Sequence, residues 1–370
     1  MRVIVIGAGI VGASVAEALA TRGAEVLVLD MRTPGAGASR ASAGMLAPYT
    51  EAQDDARLLE MSLKSLSMFE PIIERLSADG HPVEYSRSGT LQVAFSGEDV
   101  ERLRALARDI SLRGGLCTWL NPIDLRSFDP TVNAEAAAGL FVAVHGFVGV
   151  GSFVRALVDH ARFSGAALEY PVEAVLVESR KTTVDVRAGA RRYEADAVVI
   201  APGSWARRVR VANIPAFPVR PVRGQLLHLA WPDSQPPRGI VWGPRCYSVP
   251  WSDGSLLVGA TVEEVGFDES STVEGVSMLT AAVTELLPAA AHAHVREARA
   301  GLRPALPDLL PGIGPIDGAP RIVTAIGHYR HGVLLAPFTA DVVSRYLLEG
   351  VSDPTFALTS PNRLWSGHDE

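Results

Sequence analysis

Hydrophobic and polar positions along the chain fall into two regimes. In the first, Met1–Ile6 is a short apolar run, and Ser14–Arg22 carries small and apolar residues at helical spacing. Glu25–Leu29 is then a second apolar strand ending at Asp30. Leu59, Leu63 and Leu66 recur at helical spacing and predict a helix to about Ser77. Val83–Phe95 alternates around Gly89 and predicts a hairpin or meander, followed by a charged amphipathic helix over Glu98–Leu112. Phe141–Val144 predicts a short strand, and Gly151-Ser152 the cap of a helix reaching about Ser164. Ala167–Glu169, Val172–Glu178 and Thr183–Arg187 predict further strands. Ala197–Ile200 is wholly apolar, as in a strand buried on both faces of a parallel sheet.

The second regime begins after Pro215–Pro221. Gln225–His228, Cys246–Val249 and Leu256–Gly259 alternate between Pro, Gly and Asp turns, the pattern of an antiparallel sheet. Val273–Leu287 predicts an amphipathic helix that stops at Pro288. Strand and helix return at Arg321–Ile326 and Phe338–Leu348. The α/β domain of the opening segment resumes at Ala197–Ile200 and again at Arg321–Ile326, which predicts an interrupted domain. The expected division is residues 1–80, 146–214 and 310–370 for an α/β domain, and 81–145 and 215–309 for an antiparallel-sheet α+β domain.

Composition agrees with this division. A chain of 370 residues is too long for one core, and a 48% apolar, 20% charged sequence is that of a globular protein. A net charge of -7 without a basic cluster argues against nucleic acid as partner. Cys117 and Cys246 stand far apart, and the histidines lack ligand spacing, so neither a disulfide scaffold nor a metal site is expected. No apolar run is long enough to span a membrane, and the glycines after Ile6 make the first strand a poor secretion signal. A cytoplasmic protein without membrane contact is expected.

The opening segment carries the first chemistry. Gly7-Ala8-Gly9-Ile10-Val11-Gly12 lies between a strand and a helix, and Asp30 ends the next strand: a Rossmann-like dinucleotide fingerprint. Gly7 permits the turn, Gly9 the approach of a pyrophosphate and Gly12 close packing of helix on strand. Asp30 is placed to accept from ribose hydroxyls. The small-residue stretches Ala38-Ser39 and Ala43-Gly44-Met45 suit a backbone lying against a flat ligand, and Gly203 ends the apolar strand Ala197–Ile200. Whether the dinucleotide is FAD or NAD stays open on these features alone.

Two arginines stand in apolar or small-residue surroundings, Arg303 in Gly301-Leu302-Arg303-Pro304 and Arg330 in Gly327-His328-Tyr329-Arg330-His331-Gly332. Burying a guanidinium requires a bidentate anion such as a substrate carboxylate. An ion pair of Arg303 with Asp308 is the plain structural alternative. Tyr247 can add a phenolic hydrogen bond. No nucleophile–base set and no paired carboxylates stand out.

GAGIVG with Asp30, SRASAGMLAP, VVIAPGSWA, YSVPWSDGSLLVGAT, GLRPALPDLLPGIG and GHYRHGVLLAP occur in the order found in FAD-dependent amino-acid oxidases. Over nearly its whole length the chain resembles that family, most closely the glycine oxidases of thiazole (thiamine) biosynthesis. The resemblance implies an interrupted Rossmann-like FAD-binding domain with an antiparallel-sheet α+β substrate domain. It implies oxidation of glycine, sarcosine or small D-amino acids with dioxygen, or a related dehydrogenase passing electrons elsewhere, or a flavoprotein subunit of a larger complex. Ile10, Val11, Asp30 and Met31 would hold the ADP part of FAD, and Val172 its adenine end. Ala38, Ser39, Ala43, Gly44 and Met45 would follow the pyrophosphate and flavin. His328, Tyr329, Arg330, His331, Gly332, Val333 and Leu334 would wrap the isoalloxazine, with the N-terminus of the next helix at its carbonyl edge. Arg303, Arg330 and Tyr247 match the substrate-binding and catalytic residues. A homo-oligomer and non-covalent FAD are implied too. Arg245, Trp251 and His331 depart from the family pattern at positions expected near the substrate entrance or flavin.

Overall fold

The structure, a computed structural model, describes residues 1–52, 55–173, 175–232 and 235–365. Ala174, inside the predicted strand Val172–Glu178, and the last five residues of the expected segment 310–370 lie outside the described residues.

A six-stranded sheet has the order Gly312–Ile316, Ala319–Ile326, Ala197–Ile200, Arg2–Ile6, Glu25–Leu29 and Ala167–Glu169. Its strands are parallel except for the pair at the Gly312–Ile316 edge. Four of the five residues of Arg2–Ile6 are buried, so its alternate side chains feed two different cores. Val3 and Val5 pack with Val15, Leu19, Phe338 and Val343 beneath the helices Ile10–Thr21 and Ala336–Glu349. Ile4 and Ile6 face Val177 and Val186 of a four-stranded sheet on the other side. The result is a three-layer arrangement of helices, parallel sheet and antiparallel cover.

An eight-stranded sheet, nearly all antiparallel, runs from His294–Ala305 through Arg220–Ala230, Ser255–Gly259, Tyr247–Pro250, Ile240–Trp242, Thr90–Ala94 and Ala138–Val142 to Thr118–Leu120. The helix Val273–Leu286 covers its apolar face through Leu279, Val283 and Leu286. Helix starts follow capping chemistry. The Asp55 carboxylate accepts from the Arg57 and Leu58 N–H groups at the start of Ala56–Ala78. Ser96 and Asp99 form a reciprocal capping box before Gly97–Leu112.

Several expectations need correction. Val83–Phe95 is not a hairpin: Tyr85–Ser86 pairs with Gly146–Val148, whereas Thr90–Ala94 belongs to the eight-stranded sheet. Gly89, at φ 80°, redirects the chain between the two sheets, and a Cβ there would lie 2.4 Å from the Phe141 ring. The first helix begins at Ile10 rather than Ser14, directly at the glycine turn. The strand expected at Phe141–Val144 is Ala138–Val142, and the helix expected from Gly151 starts at Val150. Arg191–Ala195, His294–Ala305 and Gly312–Ile316 are strands that hydrophobic patterning does not reveal.

Candidate active site

A cavity of about 370 Å³ runs from the C-terminal ends of the parallel strands to the face of the eight-stranded sheet. Gly7, Gly9, Ile10, Val11, Asp30 and Met31 form one end. Gly7 has φ 109°, and a Cβ there would lie 2.2 Å from the Ala201 carbonyl oxygen, so no other residue fits the turn. A Cβ on Gly12 would lie 1.9 Å from the Gly7 carbonyl oxygen; this glycine serves helix packing and does not line the cavity. Asp30 accepts from the Ala8 N–H at 2.5 Å and the Arg32 N–H at 2.7 Å, one bond to each carboxylate oxygen. Lone pairs remain for further donors. Burial raises its pKa, against the lowering effect of the Ala8 and Arg32 amides and the Arg32 charge. Ser39 Oγ accepts from the Ile10 N–H at 2.9 Å and ties the small-residue loop to the helix start. Among the described residues no protein acceptor meets the Val11 N–H.

Ala38, Ser39, Ala43, Gly44 and Met45 line the middle of the cavity. Gly44, at φ 71°, lies so close to the neighbouring strand that a Cβ would sit 1.9 Å from the Val148 carbonyl oxygen. Gly203 and Val172 also reach the wall, and the Val172 N–H donates to the Asp30 carbonyl. From the Gly327–Val333 turn, His328, Tyr329, Arg330, Gly332 and Val333 line the cavity, but His331 and Leu334 do not. Leu334 is core, packed with Ile10 and Val333. His328 and His331 are buried and neutral, since burial lowers their pKa values to about 3 and about 4. The N–H groups of Gly332, Val333 and Leu334 find no acceptor among the described residues, whereas the Leu335 N–H already donates to the His331 carbonyl. The acceptor-free amides at the start of Ala336–Glu349 thus belong to the turn that precedes it. Phe338, in its first turn, donates instead to Ser65 Oγ.

The other end of the cavity gathers Tyr247, Arg303 and Arg330. Arg303 projects from His294–Ala305, and its Nη1 donates to the carbonyls of Thr261 at 3.0 Å and Arg223 at 3.4 Å. It does not pair with Asp308, whose carboxylate receives Arg363 at 2.7 Å. Gly224 on the adjacent strand makes the room: a Cβ there would lie 2.3 Å from the Arg303 guanidinium. Tyr247 stands directly opposite Gly259, where a Cβ would lie 2.5 Å from the phenolic oxygen. Its ring packs 5.3 Å from Trp242. Burial pushes the Tyr247 hydroxyl up to about 12, against the nearby Arg303 charge, so it is a phenol at neutral pH. The Tyr329 N–H donates to the Pro304 carbonyl at 2.8 Å, and His328 bridges to Ala305. Those bonds bring Arg330 beside Arg303. Arg330 is exposed and unpaired with any described carboxylate within 4 Å, so the burial argument applies to half-buried Arg303 alone. Its guanidinium lies 5.3 Å from the Tyr329 ring.

Sequence patterning missed Gly224, Gly259 and Glu51. An isolated glycine inside a strand is itself a signal of close approach and marks the first. Glu51 ends the short helix Pro48–Glu51 and lines the cavity beside the arginines; burial raises its pKa to about 8, against the Arg330 and Arg303 charges. Of the three departures from the family pattern, Arg245 alone reaches the wall, where it pairs with Glu285. Trp251 packs against the Val249 and Leu257 cluster and the His228 ring, and like His331 it lies outside the cavity.

The cavity fits FAD on structural grounds. A glycine turn and Asp30 lie at one end, small residues line the middle, and acceptor-free amides lie beside the arginines. The family model described as FAD dependent oxidoreductase matches residues 2–346. The bifunctional protein ThiO/ThiG of Nostoc sp. (strain PCC 7120) is 30% identical over 95% of this chain and 53% of that protein. The chain thus spans about half the length of such bifunctional relatives. The glycine oxidase of Geobacillus kaustophilus is 30% identical over 93% of this chain and 93% of its own length. A crystal structure of glycine oxidase from that organism superposes with a TM-score of 0.93, covering 98% of this chain and 99% of that chain at 28% identity.

Proposed function

The chain belongs to the family of FAD-dependent oxidoreductases, and on that premise we propose that it oxidises the amine-bearing carbon of a small amino acid. Glycine is the first candidate, with sarcosine and small D-amino acids next and dioxygen as the final acceptor. The observation that carries this reading is the convergence of Arg303, Arg330 and Tyr247 from three separate segments at one end of the cavity. None of the three has a described carboxylate within ion-pair distance. A site with two guanidiniums and a neutral phenol is built to receive a carboxylate.

In this reading Asp30 would hold the adenosine ribose, and the acceptor-free amides of Gly332 and Val333 would hold the flavin. Bound FAD supplies the acceptor for the two electrons and the hydrogen that leave the substrate, which pass on to dioxygen as hydrogen peroxide. Arg303 and Arg330 clamp the carboxylate, and the Tyr247 hydroxyl donates to it. That fixes the Cα–H bond in one orientation, which is the main contribution of the protein to rate. The imine product hydrolyses in water to the oxo acid and ammonia or an amine. FAD is held non-covalently: Cys246 is the one cysteine on the wall, and burial pushes its pKa up to about 12, so it stays a thiol rather than a nucleophile.

A peroxide assay in air over glycine, sarcosine, D-alanine and D-proline tests the proposal. Peroxide with stoichiometric oxo acid from at least one of them is the expected result; electron transfer only to an added quinone or dye, with no peroxide, would refute the oxidase assignment.

A further inference from the structure

This inference rests on the amino-acid oxidation reading and concerns the other half of the substrate. Among the described residues two carboxyls line the cavity: Asp30 at the glycine turn, and Glu51 at the end occupied by Arg303, Arg330 and Tyr247. The short helix that carries Glu51 is fixed from three sides. The Glu51 N–H donates to the Ala47 carbonyl at 3.0 Å, and Thr50 Oγ1 accepts from Gln92 Nε2 at 2.9 Å. The buried Tyr49 ring stacks on His145 at 6.0 Å. The Glu51 carboxyl itself has no hydrogen-bond or ion-pair partner among the described residues. Other acids sheltered in this fold are paired, as Glu17 is with His160 at 2.8 Å.

Charge balance says what such a group can receive. A bound amino acid brings one carboxylate and one ammonium, separated by a single carbon. Its carboxylate offsets one of the two guanidiniums, and its ammonium adds a further positive charge. Two guanidiniums and a zwitterion leave a net charge of +2 in the site, which an acid standing at the amine lowers to +1. Among the described residues, the charged and titratable groups that face Glu51 are Arg330 from the Gly327–Val333 turn, Arg303 from His294–Ala305 and Tyr247 from its own strand. All three are the groups assigned to the carboxylate.

We propose that Glu51 is the amine-binding residue: its carboxylate accepts from the substrate ammonium and takes one proton from it. An N–H bond breaks, an O–H bond forms on Glu51, and the electron pair stays on nitrogen. That lone pair is what loss of hydrogen from Cα requires. The proton returns to solvent when product leaves. Glu51 thereby selects amino acids over hydroxy acids, whose hydroxyl brings no positive charge. Burial already raises this acid to about 8, near the pH at which a proton acceptor works best.

One acid then predicts two opposite pH dependences, measured on the flavin-loaded protein. Acetate, a carboxylate without an amine, is titrated calorimetrically from pH 6.5 to 9.5. Its affinity should fall about tenfold as Glu51 ionises, since two like charges then share the site. Over the same range kcat/KM for glycine should rise. In Glu51→Gln the fall in acetate affinity should vanish, and kcat/KM for glycine should drop about 10- to 100-fold, as for a lost hydrogen bond to a charged group. Glu51→Asp, which keeps the charge one methylene further back, should keep the acetate dependence and recover part of the rate. It decides the case if Glu51→Gln yields no flavin-loaded protein. A wild-type acetate affinity that does not change with pH, or the same fall in Glu51→Gln, would overturn the assignment while leaving amine oxidation intact. A wild type that shows the acetate dependence yet oxidises no amine would instead bring down the oxidation reading, and Glu51 with it.

Discussion

Gly224→Ala is the most informative single substitution. Gly224 lies inside Arg220–Ala230, where the backbone is ordinary strand and alanine adds no conformational strain. The new Cβ would stand 2.3 Å from the nearest guanidinium nitrogen of Arg303, about an ångström short of ordinary contact. The opposing atoms are the end of a flexible side chain, so the guanidinium moves and the sheet does not. Its bond to the Thr261 carbonyl is lost or lengthened, at a stability cost on the order of 1 kcal/mol. Function is affected more, because misplacing a positioning group by about 1 Å can cost on the order of a hundredfold in rate. The assay is kcat/KM for glycine with flavin content and Tm measured alongside, in a cycle with Arg303→Ala. Arg303→Ala alone should lose about 2–5 kcal/mol of carboxylate binding. Adding Gly224→Ala to it should change nothing further. An unchanged kcat/KM in Gly224→Ala, or an equal further loss on the Arg303→Ala background, would refute the claim that Gly224 acts by making room for that guanidinium.

Three further outcomes are expected. Gly7→Ala, which puts a Cβ 2.2 Å from the rigid Ala201 carbonyl at φ 109°, should abolish flavin retention and lower Tm, read from visible absorbance and thermal melts. His145 is buried, without a hydrogen-bond partner among the described residues, and burial lowers its pKa to about 3. The unfolded chain therefore binds the proton more tightly, and stability falls as pH drops below about 6.5, by on the order of 2 kcal/mol at pH 4–5. Acid melts of His145→Gln should show a shallower loss than wild type. Trp251→Arg should lower Tm and leave kcat/KM across the amine panel unchanged, because Trp251 lies outside the cavity.

The parallel-sheet half of the fold is legible because its strands are continuous apolar runs and its ligand turn is encoded locally in Gly7–Gly12. His294–Ala305 is not legible. Its residues are mostly polar or small, and it becomes a strand through eleven pairings with Arg220–Ala230, a segment distant in sequence. The hairpin expected at Val83–Phe95 fails for a related reason. Its two strands have better partners elsewhere, and local alternation cannot report that. Arg303, Arg330 and Tyr247 can be picked out one by one, but their meeting depends on the Tyr329 to Pro304 hydrogen bond and on two glycines opposite the side chains. Glu51 reads in sequence as one more solvated acid after a turn. Its meaning comes from the two arginines that tertiary structure places beside it.

Anaerobic addition of glycine, sarcosine, D-alanine or D-proline to the purified yellow protein, followed in the visible spectrum, tests the central claim most directly. Bleaching of the flavin by at least one amine, and return of the colour with release of peroxide when oxygen is admitted, is the predicted result. A spectrum that stays oxidised with every amine, in a protein carrying its full complement of FAD, would contradict it.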